Sequence, residues 1–436
     1  MGVMTLAELL PSLRTSLRPH LDGDVWPLTT AWGAHGDLLV GGVRMTALAA
    51  TYGTPVHVLS EADVRARCAE YVTAFGPGAV AYSAKAGLTV AAGRWISDQG
   101  LGCYVSSAGE LRTALLAGFR PAAIVLCGTT KSVADLEAAY ACGATVVFGT
   151  AAEAEAVVAR APIGQRVLVR VVPAGGARGR CRYGFRLGSS GAVDVVRTVL
   201  ASPNLVLAGL DCSLGHQLSR FQAFEAALRE AVAFCAVLGA RFRVGVPALN
   251  LGGGHAVAYA KRDSGFALTA FASRIQAMLR LSAERYGIEP PRLTVSPGRA
   301  IVTRAGLTLH RVTAVSAEGM GGHLEVSLDG DLPDCATGEQ CAGRHSAQLI
   351  GRVSQAPMRP AVLVGGSEGE RTMVISSLEL PDDIGIGDLL AVAGTGAYHH
   401  CRDPLVGRPA VLGVGEGLVR TLVRRETVED LLLRAG

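Results

Sequence analysis

Val80-Ala81-Tyr82-Ser83-Ala84-Lys85-Ala86 reads as a short apolar strand that closes on a lysine. Lysine is scarce in this Arg-rich chain, which holds only Lys85, Lys131 and Lys261. Lys131, in Gly-Thr-Thr-Lys-Ser, and Lys261, in Lys-Arg-Asp-Ser, sit among polar neighbours. Lys85 instead follows an apolar run, where a free ammonium is costly unless it is paired or neutral. A lysine pushed toward neutrality is the kind that bonds covalently to a carbonyl cofactor. One that snorkels to water needs no such role. The flanking chain has to decide between the two.

Outward from that stretch, strand and helix alternate from Tyr52. Val56 to Leu59 reads as a strand. Ser60 reads as the cap of a helix to Phe75, with Glu61 and Asp63 in its first turn. Further strands are expected at Val80, Cys103, Ile124, Thr145, Val167, Leu205, Ala248 and Arg292, with helices between them. About eight strands over about 250 residues fit a (β/α)8 TIM barrel better than an open doubly wound sheet. After Ala305 helical patterns nearly vanish and seven strand-like runs follow, which indicates a β-barrel or sandwich. Upstream, Leu6 to Leu17 has helical leucine spacing broken by Pro11, and Asp37 to Val43 reads as a hairpin turning on Gly41-Gly42. The expected organisation is an N-terminal segment (1–45) joining the β-domain, a barrel (46–305) and a C-terminal β-domain (306–436).

Bulk properties exclude several classes. The 436 residues are 49% hydrophobic and 18% charged, with a net charge of +4. There is no Lys/Arg block for nucleic acid or a membrane surface. No apolar run reaches membrane-spanning length, and residues 1–20 lack a signal-peptide pattern, so a cytoplasmic location is expected. The ten cysteines show no Cys-x-x-Cys spacing, so no metal site is indicated.

Barrel chemistry gathers at the C-terminal ends of the strands. Lys85 stands at such an end. So does Leu251-Gly252-Gly253-Gly254, whose consecutive glycines let backbone N–H groups approach a phosphate. Ser296-Pro297-Gly298-Arg299 adds a guanidinium suited to phosphate. A phosphate cradle beside a strand-end lysine points to pyridoxal 5'-phosphate.

The order of motifs then resembles a known family. Tyr52-Gly53-Thr54-Pro55, Tyr82-Ser83-Ala84-Lys85-Ala86, Ser106-Ser107-Ala108-Gly109-Glu110-Leu111 and Leu251-Gly252-Gly253-Gly254 come first. Pro297-Gly298-Arg299-Ala300, Gly351-Arg352-Val353-Ser354, Gly394-Thr395-Gly396-Ala397-Tyr398 and Arg424-Arg425-Glu426-Thr427 follow. From Trp26 to Leu431 the chain is similar to the pyridoxal-phosphate decarboxylases of the alanine-racemase-like fold (the diaminopimelate/ornithine decarboxylase family), and most of all to the diaminopimelate decarboxylases. The resemblance implies that Lys85 carries the cofactor. It also implies that Gly252, Gly253, Gly254, Arg299 and Tyr398 hold its phosphate, and that the protein is a homodimer with active sites at the interface.

Departures from the family pattern carry their own expectations. The family glutamate that pairs with the pyridine nitrogen is Ser296 here, and the histidine that stacks on the ring is Ser213. His216 replaces a phosphate-side serine, and Tyr104 replaces an acid. The interface loop falls on Glu368-Gly369-Glu370. The arginine for the distal carboxylate of diaminopimelate falls on Thr337, and a nearby tyrosine on Cys341. The expected site therefore combines Lys85, His216 and Glu368 as catalytic groups. Ser213, Ser296 and the phosphate residues hold the cofactor, and Tyr104, Thr337 and Glu368 face the substrate. His399-His400 is a further candidate acid–base pair. On these departures the expected function is decarboxylation of a free amino acid or carrier-bound amino-acyl derivative other than diaminopimelate. The alternatives are elimination, replacement or epimerisation at Cα or Cβ, and an inactive binder of the cofactor or a metabolite.

Overall fold

The computed structural model describes residues 19–173, 183–261, 263, 265–317, 322–330, 345–365, 372–398 and 407–435. The chain divides into two compact units. One comprises Arg65–Ala256 and Gly265–Ile301; the other comprises Met1–Val64, Val257–Ser264 and Val302–Gly436. The leucine-spaced stretch before Leu17 lies outside the described residues.

The second of these units begins with β1 (Thr30–Trp32), β2 (Leu38–Val40) and β3 (Val43–Arg44), a small antiparallel sheet. Its hairpin turns on Gly41 and Gly42, both at positive φ, which glycine adopts without steric cost. β4 (Val56–Ser60) follows, and all five of its residues are buried. It was expected to belong to the barrel alternation, yet it pairs antiparallel with β14 (Gly306–Ser316) and parallel with β20 (Ala410–Gly415). A strand covered on both faces, its polar His57 and Ser60 included, has no wet face to mark its sheet, so its pattern does not say which sheet it enters.

The first unit is the barrel. Its strands are β5 (Ala81–Ser83), β6 (Gly102–Val105), β7 (Ile124–Leu126), β8 (Thr145–Phe148), β9 (Gln165–Val172), β11 (Leu205–Cys212), β12 (Ala248–Asn250) and β13 (Arg292–Thr294). β10 (Phe185–Arg186) is a short strand added to the end of β9. The eight pair in parallel in the order β5-β6-β7-β8-β9-β11-β12-β13. The ring closes where Val80 bridges Val295, with Ala81 N–H donating to the Val295 carbonyl at 3.0 Å and Val295 N–H to that of Ala79 at 2.9 Å. The sequence places helix starts after successive strands: Thr89, Ser107, Ser132, Thr150 and Ser189 each accept a backbone N–H as N-caps. The register of β11 shifts between Leu207 and Gly209, where a side chain at Gly209 would run into the Ala248 carbonyl.

The remaining strands of the other unit are β15 (Leu324–Leu328), β16 (Ala347–Ile350), β17 (Met358–Gly365), β18 (Thr372–Pro381), β19 (Leu389–Ala393) and β21 (Leu418–Val423). The order is β18-β17-β15-β14-β4-β20-β21, while β19 pairs with β14 and β16 with β19. One core of this unit gathers Val25, Trp26, Leu38, Val56, Leu307 and Leu412; another gathers Val326, Leu363, Ile375 and Val392. Among the described residues no helix is long and apolar enough to cross a membrane.

Gly306 and Gly396 pack backbone against backbone, and an added Cβ at Gly396 would overlap the Val302 carbonyl oxygen. Gly396→Ala is expected to lower unfolding stability by about 3 kcal/mol, because the obstacle is backbone and cannot rotate away. Gly385→Ala, with nothing within 4 Å of the new carbon, should stay within about 0.5 kcal/mol. Urea unfolding midpoints check both.

Candidate active site

Four loops meet at the C-terminal mouth of the barrel. The segment Gly252–Gly254 leaves β12, and each of its glycines faces a carbonyl. A Cβ on Gly252 would stand 2.7 Å from the Cys212 oxygen, one on Gly253 would overlap the Ser296 oxygen, and one on Gly254 the Gly215 oxygen. The loop is thus wedged between the loops that follow β11 and β13. Ser296 N–H donates to the Gly252 carbonyl at 2.9 Å and Leu218 N–H to that of Gly254 at 2.8 Å. The Gly253 and Gly254 N–H groups donate to no other group among the described residues. That leaves a pair of backbone donors on a surface without side chains, which suits a phosphate. Gly298 in turn lies on the turn that carries Lys85, 3.0 Å from the Ala86 methyl measured from an ideal Cβ. Ser83 N–H donates to the Pro297 carbonyl at 3.0 Å. Arg299 follows directly and is buried.

Lys85 sits in a one-turn 3-10 helix (Ala84–Ala86) at the end of β5. Ala84 and Ala86 are buried, but Lys85 itself is exposed in this chain. The expectation of a lysine in apolar surroundings is therefore corrected: the strand is buried, and the side chain leaves it at the open mouth. The buried lysine is Lys131, whose side chain is 3% exposed. Its ammonium donates to Glu153 Oε1 at 2.8 Å and to the Tyr183 hydroxyl at 2.9 Å. Burial holds the Lys131 pKa below its ordinary value, with Glu153 opposing.

Beneath the loops lies a polar network that the sequence did not reveal. Asp211, at the end of β11, is 1% exposed and forms an ion pair with Arg170 of β9. The Asn250 Nδ2 amide stands 2.5 Å from Asp211 Oδ1, 2.8 Å from the Tyr104 hydroxyl and 3.3 Å from Ser296 Oγ. Asn250 Oδ1 accepts the Gly252 N–H at 3.0 Å, which fixes the orientation of the amide. The Tyr104 hydroxyl donates to Asp211 at 3.3 Å. Burial first, and the Asp211 charge second, push the Tyr104 pKa well above the usual phenol range. Arg170 also faces the Tyr183 ring at 5.6 Å, which links this network to Lys131.

His255 anchors the far end of the glycine loop. Its ring stacks on Phe266 at 4.9 Å and packs against Tyr71, Phe224 and Phe271. Nδ1 shares a 2.8 Å hydrogen bond with the Tyr71 hydroxyl. Burial in this aromatic nest lowers the His255 pKa from 6.5 to about 3.

The structure therefore brings together Lys85, Ser213, His216, Gly252, Gly253, Gly254, Ser296 and Arg299 on the loops at this mouth, with Tyr104 in the barrel interior below. Ser213 follows β11, its N–H reaching toward the Val171 carbonyl at 3.4 Å, and the His216 backbone packs against Gly254. Tyr398 belongs to the other unit, at φ 60°. Thr337, Cys341, Glu368, Glu370, His399 and His400 lie outside the described residues. Arg170, Asp211 and Asn250 were missed. The available signal was a charged or amide residue in each of three strands, after the apolar runs Val167–Val169, Leu205–Leu210 and Ala248–Leu249.

A family profile described as "Pyridoxal-dependent decarboxylase, pyridoxal binding domain" matches residues 61–303. The chain belongs to the pyridoxal-dependent decarboxylases. Among its relatives, the diaminopimelate decarboxylase of Actinosynnema pretiosum subsp. auranticum is 39% identical over 445 residues, covering 99% of this chain and 100% of the relative. That of Mycobacterium tuberculosis is 36% identical, covering 95% and 98%. A crystal structure of diaminopimelate decarboxylase from M. jannaschii in complex with L-lysine matches the fold with a TM-score of 0.83 at 23% identity, over 93% of this chain and 97% of that one. This pyridoxal-dependent decarboxylase is a carboxy-lyase that uses pyridoxal phosphate.

These relatives overturn the expectation that diaminopimelate is not the substrate, and with it the elimination, replacement or epimerisation and inactive-binder alternatives. That expectation weighed each aligned position alone. The departures that carry it, Thr337, Cys341 and Glu368-Gly369-Glu370, lie outside the described residues; at Ser296 the structure adds a buried carboxylate, Asp211, one Asn250 amide away.

Two outcomes follow for this decarboxylase. Arg170→Met strands the Asp211 charge and should cost about 3–5 kcal/mol of stability. The double variant with Asp211→Leu should recover most of that loss in chemical unfolding. For His255, the unfolded imidazole takes up a proton below pH 6.5 and the folded one not until about 3. The unfolded state thus binds more protons in that window, so stability is complete above it and falls as the pH falls. At about pH 5 the His255 contribution amounts to a loss of about 2 kcal/mol. The paired change Tyr71→Phe with His255→Phe should flatten that slope when unfolding is followed from neutral to mildly acidic pH.

Proposed function

We propose that this enzyme removes one carboxyl group of diaminopimelate as CO2 and releases lysine. The observation that supports this reading most strongly is the full-length likeness, at 39% identity, to a diaminopimelate decarboxylase. Lys85 is the residue proposed to carry the cofactor. It stands on the turn against Gly298, at the mouth where Gly253 and Gly254 present unused N–H groups. Those glycines with Gly252, and Arg299 beside them, are proposed to hold the phosphate, and Tyr398 to hydrogen-bond it.

The bound cofactor supplies an electron sink for the pair left when CO2 departs. The chain supplies the rest. The amine of Lys85, once it carries a proton, delivers it to the substrate Cα in the place the carboxyl group has left, in the role of a general acid. The Ser296 hydroxyl accepts from Asn250, so its own proton is free to point into the mouth. Asp211 keeps a negative charge in the low-dielectric interior, balanced by Arg170. His216 and Ser213, on the loop after β11, are proposed to line the cofactor. Tyr104 orders the floor, its hydroxyl donating to Asp211 and accepting from Asn250. The family resemblance also supports a homodimer working in the cytoplasm, which light scattering at twice the chain mass would check.

The deciding assay supplies meso-diaminopimelate to the pyridoxal-phosphate-loaded enzyme and measures CO2 and lysine. Stoichiometric release is expected, and a loaded enzyme that forms no lysine would sink the proposal. Lys85→Ala should lower turnover by about three orders of magnitude. Borohydride reduction and peptide mapping should find the pyridoxyl group on Lys85, and a label on Lys131 would reassign the site.

A further inference from the structure

We propose that the opposite, N-terminal mouth of the barrel is a second binding site, for a small and multiply charged oxyanion. A cavity of about 270 Å³ opens there. Barrel interiors are ordinarily filled by layers of bulky branched side chains. Here β5, β6, β11 and β12 contribute Ala81, Gly102, Ala208 and Ala248 to the lining, and the space stays open. It lies well above the roughly 10–15 Å³ that one water needs.

The lining is charged in one sign only. Arg120, Arg166 and Arg292 border the cavity, and no Asp or Glu does. The three come from separate places, the turn before β7, the start of β9 and the start of β13. All three are exposed. Arg292 Nη1 donates to the Gly78 carbonyl at 3.0 Å. Among the described residues none of the three meets a carboxylate. Three guanidiniums around one concave, low-dielectric space raise its potential, and a guanidinium offers paired donors that match a carboxylate or phosphate. Thr145 and Thr294 add hydroxyls to the wall. The inner end is formed by Tyr104 and Asn250. Both also bond to Asp211, so an occupant of this cavity lies one layer below the catalytic mouth.

The test uses the pyridoxal-phosphate-loaded enzyme, in which the phosphate cradle at the other mouth is already filled. Calorimetric titration at low ionic strength with inorganic phosphate, and separately with succinate, should show saturable binding of one equivalent. Affinity should fall roughly tenfold or more when salt screens the guanidiniums, and by a similar factor in Arg166→Gln with Arg292→Gln. The visible spectrum of the bound cofactor should be unchanged in that variant. Arg120→Gln, a single exposed change on a turn, should give a smaller loss and serves if the double variant does not fold. Tighter phosphate assigns a phosphorylated ligand, and tighter succinate a carboxylate; either supports the site. No saturable binding of either anion, or binding unchanged in the arginine variants, overturns it.

Discussion

Three carbonyl oxygens, those of Cys212, Gly215 and Ser296, stand where the Cβ atoms of residues 252, 253 and 254 would be. This is a steric constraint before it is anything chemical. It forces glycine at three consecutive positions and pulls the loops after β11, β12 and β13 into one surface of backbone. Lys85 is placed by the same surface, because Gly298 lets the loop after β13 lie flat on the turn that bears it. This mouth of the barrel is therefore held by main chain, and side chains are free to differ around it.

That freedom is visible in the charges. Asp211 is buried and balanced by Arg170, and Asn250 spreads its influence to Tyr104 and Ser296. A buried ion pair is weak evidence for stability, since desolvation offsets most of its attraction. Its value here is position. It keeps a carboxylate inside the barrel, under the loops, without exposing it to solvent that would screen it. Lys131 with Glu153 and Tyr183 repeats the arrangement on the segments that follow β7, β8 and β9.

Much of the architecture was legible in the sequence because period and punctuation are local. Strand runs, capping serines and threonines, and the Gly41-Gly42 turn each declare themselves within a few residues. The partner of β4 was not legible, because a short strand covered on both faces looks the same in either sheet. The motifs around Lys85, Gly252 and Arg299 could be read for the same local reason. Asp211, Asn250 and Arg170 could not, since they meet only after three strands separated by long helices are placed side by side. Single aligned positions misjudge the substrate for a related reason. Thr337 and Cys341 read one at a time as lost anchors, against a likeness that runs the full length of the chain; Ser296 likewise has surroundings set by Asn250 and Asp211, 46 and 85 positions earlier in the chain.

The Asn250 amide is a rigid plane with its oxygen tied to the Gly252 N–H and its nitrogen tied to Asp211. Flipping it would set N–H against N–H at one end and oxygen against oxygen at the other. The amide therefore behaves as a latch with one closed position. Glycine is the most pliable residue, yet this loop begins on a bond that cannot drift without breaking the barrel's buried charge balance. Mobility at the mouth has to start beyond Gly252, so the rim can breathe while the floor beneath it keeps a single geometry.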